Sequence, residues 1–284
     1  MLSLDYIRRK IRAIETTSKI TNAMYLVATA SLRKCQKQFN NSQIFFNEFY
    51  KAVGNLLDDK CKVGTNMFNQ NGAVYYVLIG SDIGLCGSYN SNVFKLLFSH
   101  LKSDDKVCLI GKKSLYFFKS NNLNKNIDSV INFPPGGVSI YFTQYIAEMI
   151  LKKNMSNYRK IVVVYTKYRS ALLFEPVMIQ ALPIDEKLFV KDNKQNLNSD
   201  YEPNKAEILE NITPMFFSVF LHGALSESRL CENSSRRNSM KVATKNAENL
   251  IKKYKLFYNK VRQDKITQEI IEIVTGSSLD AQSL

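Results

Sequence analysis

The stretch MKVATKNAENLIKKYKLFYNKVRQDKITQEIIEIVTG, from Met240 to Gly276, dictates how the rest of the chain must be organised. Apolar or small residues stand at Met240, Ala243, Ala247, Leu250, Tyr254, Phe257 and Val261, stepping by three and four, which puts them on one face of a helix. No proline interrupts the stretch and no glycine precedes Gly276. So narrow and sustained a seam is the pattern of a coiled coil, because the apolar face of an ordinary globular helix is wider. The helix therefore requires a long helical partner.

The other end of the chain supplies one. In SLDYIRRKIRAIETTSKITNAMYLVATASLRKCQKQF the positions Leu4, Ile7, Ile11, Ile14, Ser18, Thr21, Met24 or Tyr25, Ala28, Leu32, Cys35 and Phe39 step by three and four in the same way. Ser3 is a natural N-cap and nothing breaks helix before about Gly54. Ser18 and Thr21 are small and polar where the seam should be apolar, so they either weaken the pairing locally or let the helices approach closely. Two such helices, separated by sequence of a different texture, predict an antiparallel coiled coil, residues 1–57 with 205–284, closed by an inserted domain.

That inserted domain occupies residues 73–182. Short apolar runs at 73–80 (AVYYVLIG), 107–111 (VCLIG) and 160–166 (KIVVVYT) alternate with helix-like stretches at 91–102, 112–119 and 139–153. Alternating strands and helices predict a parallel sheet with right-handed crossovers, a doubly wound, Rossmann-like α/β domain. The run at 172–182 carries Pro176 and reads as an edge strand. Residues 58–72 read as a connection and 183–204, rich in Asp and Asn, as an exposed loop. The last helix begins near Lys205 with a kink at Pro214, or begins afresh there.

The turn after the first strand, GSDIGLCGSYN, has Gly80, Gly84 and Gly87 between a strand and a helix. The spacing matches neither GxGxxG nor a phosphate loop, and no lysine follows, so a tight turn with close packing is the better reading. No constellation for chemistry emerges elsewhere. His100 and His222 are isolated and read as structural, and no cofactor is expected. The five cysteines, Cys35, Cys61, Cys86, Cys108 and Cys231, are widely spaced without a CxxC pair, the usage of reduced thiols in a cytosolic setting. The formal charge of +14 biases the chain toward nucleic acid, acidic lipid or acidic protein surfaces and does not choose among them. No signal or transit segment is expected, and no apolar run reaches the ~20 residues of a membrane span.

Three blocks, IRRKIRAIETTSKITNAMYLVATASLRK, GSDIGLCGSYNSNVF and MKVATKNAENLI with YNKVRQDKITQEIIEIVTG, are similar in order and spacing to the gamma subunits of F-type ATP synthases. The resemblance implies a non-catalytic rotating shaft inside a ring of three alpha and three beta subunits. It further implies epsilon and delta partners, a membrane c-ring, and a peripheral position on the inner face of a bacterial cell membrane. Among its residues, Lys19, Met24, Arg236, Arg262, Gln263, Thr267 and Glu269 match positions that contact the beta subunits. Ile270, Ile273 and Val274 match the bearing tip, and Gly84, Leu85, Cys86 and Gly87 match a head-domain signature. The chain departs from the pattern at Ile83, where arginine is usual, and at Arg237, where an apolar residue is usual.

Two alternatives remain. One is the shaft of a specialised F1-like motor tied to other surface machinery, with which Ile83 and the polar segment CENSSRRNS are compatible. The other is a stand-alone basic coiled coil that binds nucleic acid. The ordered match at both termini, and the lack of a zinc-finger or RNA-recognition signature, argue against nucleic acid as a partner.

Overall fold

A computed structural model describes residues 3–56, 68–134, 137–153, 155–184 and 205–281. The elements run α1 (Leu4–Leu56), β1 (Ala73–Ile79), α2 (Tyr89–Phe98), β2 (Lys106–Ile110), α3 (Lys112–Ser120), β3 (Ile127–Ile131), α4 (Ile140–Leu151), β4 (Tyr158–Tyr168), β5 (Phe174–Leu182) and α5 (Lys205–Ala281). Cys61 and the expected loop beyond Ile184 lie outside the described residues. The chain divides into two compact units, 1–27 with 237–284 and 28–236. The division falls inside both long helices, not at their ends, because each helix buries its inner portion against the sheet.

In the unit 28–236 the sheet has the order β3-β2-β1-β4-β5, with β1, β2, β3 and β4 parallel to their neighbours and β5 antiparallel at the edge. The strand period of two sorts β1 between two layers. Tyr75, Val77 and Ile79 face Ile146 and Ile150 of α4, Val53 of α1, and Phe216, Phe217 and Leu221 of α5. Val74, Tyr76 and Leu78 face Val93, Phe94 and Leu97 of α2 and Phe118 of α3. The doubly wound domain expected from the sequence is present, and it incorporates parts of α1 and α5 as one of its helical layers.

Strand β3 lies outside the strands expected from the sequence. Its sequence IDSVI alternates half-buried with exposed residues and carries Asp128 and Ser129, so it lacks the continuous apolar run that marks the buried strands. Asp128 is held in place by Tyr75, whose hydroxyl donates to it at 2.6 Å, and by an ion pair with Lys153. Burial works to raise the Asp128 carboxyl, but these two donors overcome it and hold the group below its ordinary value. Helix α5 runs unbroken through Pro214 from Lys205.

The same unit pairs α1 with α5 in antiparallel sense: Cys35 meets Asn233, Ser42 meets His222, and Phe49 stacks on Phe216. Gly223 permits the close approach, since a Cβ there would lie 3.1 Å from the Phe46 ring.

In the unit 1–27 with 237–284 the pairing is also antiparallel. Arg8 donates to the Tyr258 hydroxyl at 2.9 Å, Glu15 pairs with Lys255 at 3.5 Å, and Thr244 donates to the Thr21 hydroxyl at 2.9 Å. Thr21 is thus a cross-helix hydrogen-bonding position. The seam on α5 differs from the expected one at two places. Ile251 and Tyr258 are half-buried, whereas Leu250 is 45% exposed and Phe257 also faces outward. The true steps from Ala247 are four then three, and apolar residues at adjacent positions make both phases equally consistent with a period of 3.5.

Candidate functional site

The segment of α5 from Glu227 to Arg236 is unusually polar for a buried helix. Glu227, Ser228, Glu232, Asn233, Ser234, Ser235 and Arg236 are all buried; Glu227, Ser228, Ser235 and Arg236 find partners in backbone groups at or beyond the carboxyl ends of β1 and β4, and Glu232 in arginine side chains. Tyr168 N–H donates to Glu227 at 2.9 Å and Thr166 N–H to the Ser228 hydroxyl at 3.4 Å. Ser235 Oγ donates to the Cys86 carbonyl at 2.6 Å. Burial raises the Glu227 carboxyl, with the Tyr168 hydrogen bond opposing.

Arg236 is the centre of this arrangement. Its Nη2 donates to the Ile83 carbonyl at 2.8 Å and to Glu232 Oε1 at 2.6 Å, and its Nε donates to the Gly84 carbonyl at 3.2 Å. Glu232 also receives Arg229 Nη1 at 3.1 Å, so one carboxylate, 2% exposed, joins two guanidinium groups. The arginine is itself 8% exposed. It holds the loop Ile83–Gly87, in which Leu85 and Gly87 take positive φ angles of 61° and 57°. A leucine in that region is strained by about 1–2 kcal/mol, and fixed carbonyls on either side stabilise it there.

The same contacts pack the glycine-rich turn. Its carbonyls point to α5, and the Asp82 carboxylate accepts from Lys112 N–H at 3.0 Å and Phe133 N–H at 3.2 Å. Asp82 thus ties the turn to the start of α3, and side chains of α5 fill the ends of β1 and β4. The turn is a packing device, and Cys86 is buried beneath it with Tyr89 and Cys231.

The other expected site residues lie in the unit 1–27 with 237–284. Lys19 is exposed and Met24 half-buried on α1, while Arg262, Gln263, Thr267 and Glu269 are exposed on α5. Gln263, Thr267, Ile270 and Val274 share one helical stripe, and Arg262, Glu269 and Ile273 share a neighbouring one. Thr267 donates to its own helix at the Gln263 carbonyl, 3.0 Å away, and Glu269 pairs with Lys265 at 3.6 Å. Ile266, Ile270, Ile271, Ile273 and Val274 all face outward. So many exposed branched apolar residues on consecutive turns mark a contact surface, not a solvated one.

A model of the ATP synthase family matches residues 3–278. The chain is 37% identical over 279 residues to the ATP synthase gamma chain of Mycoplasma genitalium, covering 97% of this chain and 99% of that one. It belongs to the ATP synthase gamma chain family. The gamma chain of Malacoplasma penetrans is 38% identical over 283 residues, covering 98% and 99%. Among solved structures, a chain of the rotor of Euglena gracilis mitochondrial ATP synthase has the same fold, with a TM-score of 0.72 at 18% identity over 93% of this chain and 98% of that one.

For a gamma chain, the two departures noted in the sequence have different structural consequences. Ile83 is 61% exposed and contributes to the loop only through its carbonyl, so the loop fold does not depend on its side chain. Arg237 is half-buried and donates to Asn238 Oδ1 at 3.2 Å. Glu232, Ser235 and Ser228 carry no motif that marks them in the sequence, although the i, i+4 spacing of Glu232 and Arg236 is a visible signal. Arg236, which the resemblance assigns to the beta contact, has donors engaged with Ile83, Gly84 and Glu232 within this unit.

Proposed function

We propose that this chain is the non-catalytic central shaft of an F1-type ATPase, turning inside a ring of three alpha and three beta subunits. The near full-length likeness to bacterial proteins named ATP synthase gamma chain carries the reading. Alpha and beta bind and convert ATP, and the shaft presents an asymmetric surface to three equivalent sites in turn, biasing the conformation of each. Epsilon, delta and a membrane c-ring complete the assembly, at the inner face of the cell membrane. Among the described residues no helix is long and apolar enough to cross a membrane.

The two neighbouring exposed stripes that carry Gln263 with Thr267 and Arg262 with Glu269 meet the beta catch loops through polar contacts that form and break at each step. Arg262 suits bidentate pairing with carboxylates and Gln263 adds neutral hydrogen bonds. Lys19 and Met24 lie toward the beta levers, where the basic surface of α1 supplies attraction that needs no single docking pose. Ile270, Ile273 and Val274 run in an apolar sleeve. Arg236 acts from inside, by holding the head loop on α5.

Gentle affinity purification of the tagged chain from its own cells, with ATPase assay and identification of co-purifying proteins, tests the reading. Alpha, beta, epsilon and ring subunits are expected. Alpha-like and beta-like chains with unfamiliar partners and no ring would replace the synthase with a specialised motor, and the absence of both alpha and beta would overturn the shaft.

A further inference from the structure

A cavity of about 160 Å³ lies within the unit 28–236, between α1 and α5. One wall is a stripe of α1 with Ser31, Lys34 and Gln38, and the opposite wall is a stripe of α5 with Ser226, Arg229 and Asn233. The lining contains two cationic side chains and no carboxylate. At ~30 Å³ per water molecule, the space holds about five waters, or a tetrahedral oxyanion with a remainder of water.

Arg229 is prepared for an anion. Its Nη1 donates to Glu232 at 3.1 Å and its guanidinium lies 4.7 Å over the Phe133 ring, two contacts that fix the plane of the group. A guanidinium has five N–H donors, and Arg229 has no other acceptor among the described residues. Glu232 does not cancel the charge, because it is shared with Arg236. Lys34 makes no ion pair among the described residues, and it is exposed and free to turn into the cavity mouth. The hydroxyls of Ser31 and Ser226 and the carboxamide of Gln38 add neutral donors of the kind that complete oxyanion sites.

We propose that this cavity binds a small tetrahedral oxyanion, of which inorganic phosphate is the physiological type. Arg229 provides the oriented fork, Lys34 the second charge, and the serine hydroxyls and Gln38 the remaining hydrogen bonds. The site is a property of the chain by itself and does not rest on its place in a rotary complex.

The test is calorimetric titration of the purified 284-residue chain with inorganic phosphate, against chloride at matched ionic strength. Saturable binding of one phosphate per chain is expected, with a Kd on the order of 1 mM. Arg229→Lys keeps the charge beside Glu232 and removes the fork, and should weaken binding about tenfold, as should Lys34→Gln. Lys37→Gln, on the same helix and outside this cavity, should leave affinity unchanged. Heat without saturation up to about 20 mM, equal losses in the Lys37 and Lys34 variants, or no loss in the Arg229 variant would overturn the site. Binding only of an acidic peptide and not of free phosphate would reassign the cavity to a protein partner.

Discussion

A buried carboxylate between two arginines is tolerable only while all three charges are present. Removing the charge of Glu232 leaves two guanidinium groups facing each other, one of them nearly fully buried, and such broken buried pairs cost about 3–5 kcal/mol. Glu232→Gln is therefore expected to lower the urea midpoint by an amount corresponding to about 3 kcal/mol without a change in slope. A loss under about 1 kcal/mol would mean that the arginines find water instead. His222 makes a second residue-scale case. Burial lowers its pKa, so the native state resists a proton that the unfolded chain accepts at its ordinary value near 6.5. Its stabilising contribution is complete above that value and is lost progressively as pH falls toward the lowered one. A His222→Gln variant should lose less thermal stability than the parent between about pH 7.5 and pH 5.5, measured by melting at matched ionic strength. Burial raises the thiols of Cys35 and Cys86 and pushes Cys108 up to about 11, so access decides the order of reaction: native-state iodoacetamide should label the half-buried Cys35 before the buried Cys86 and Cys108.

At the scale of the element, the two phases of the α5 seam give opposite predictions for adjacent residues. Ile251 is turned into the pairing with α1 and Leu250 outward, so Ile251→Asn should destabilise the coiled coil by about 2 kcal/mol and Leu250→Asn by less than about 0.5 kcal/mol. Helical signal and hydrogen exchange in residues 240–261 would tell them apart, and equal effects would restore the other phase. The long helices were legible in the sequence because a period of 3.5 sustained over many turns has no competing explanation. Their phase was not, since Leu250 with Ile251 and Phe257 with Tyr258 offer two apolar choices at each step. The strands β1, β2 and β4 were legible as apolar runs, while β3 was hidden by Asp128 and Ser129, whose partners come from distant segments. The role of Arg236 was hidden for another reason. Its acceptors at Ile83 and Gly84 are backbone carbonyls, which every residue carries, so nothing in the letters of the loop announces them.

For the molecule as a whole, coupling requires a surface that grips without fixing one pose. Arg262 and Gln263 are exposed on α5, and neither contributes to the seam with α1, which ends its buried register near Val261. Their replacement therefore leaves the fold intact and removes a bidentate donor and a neutral hydrogen-bonding amide from the proposed beta contact. The double variant Arg262→Ala with Gln263→Ala should assemble normally with alpha and beta, and its steady-state ATPase rate should fall about tenfold, the effect of ~1.4 kcal/mol on the barrier to a step. Weakening of the same contact by salt should slow the parent complex and leave the variant comparatively insensitive, because the charged member of the pair is already gone. Full activity with normal assembly would show that torque passes elsewhere, and the outward isoleucines from Ile266 to Ile273 would then be the surface to test. Loss of assembly in place of slowed turnover would instead make these two residues part of docking, a different function for the same stripe.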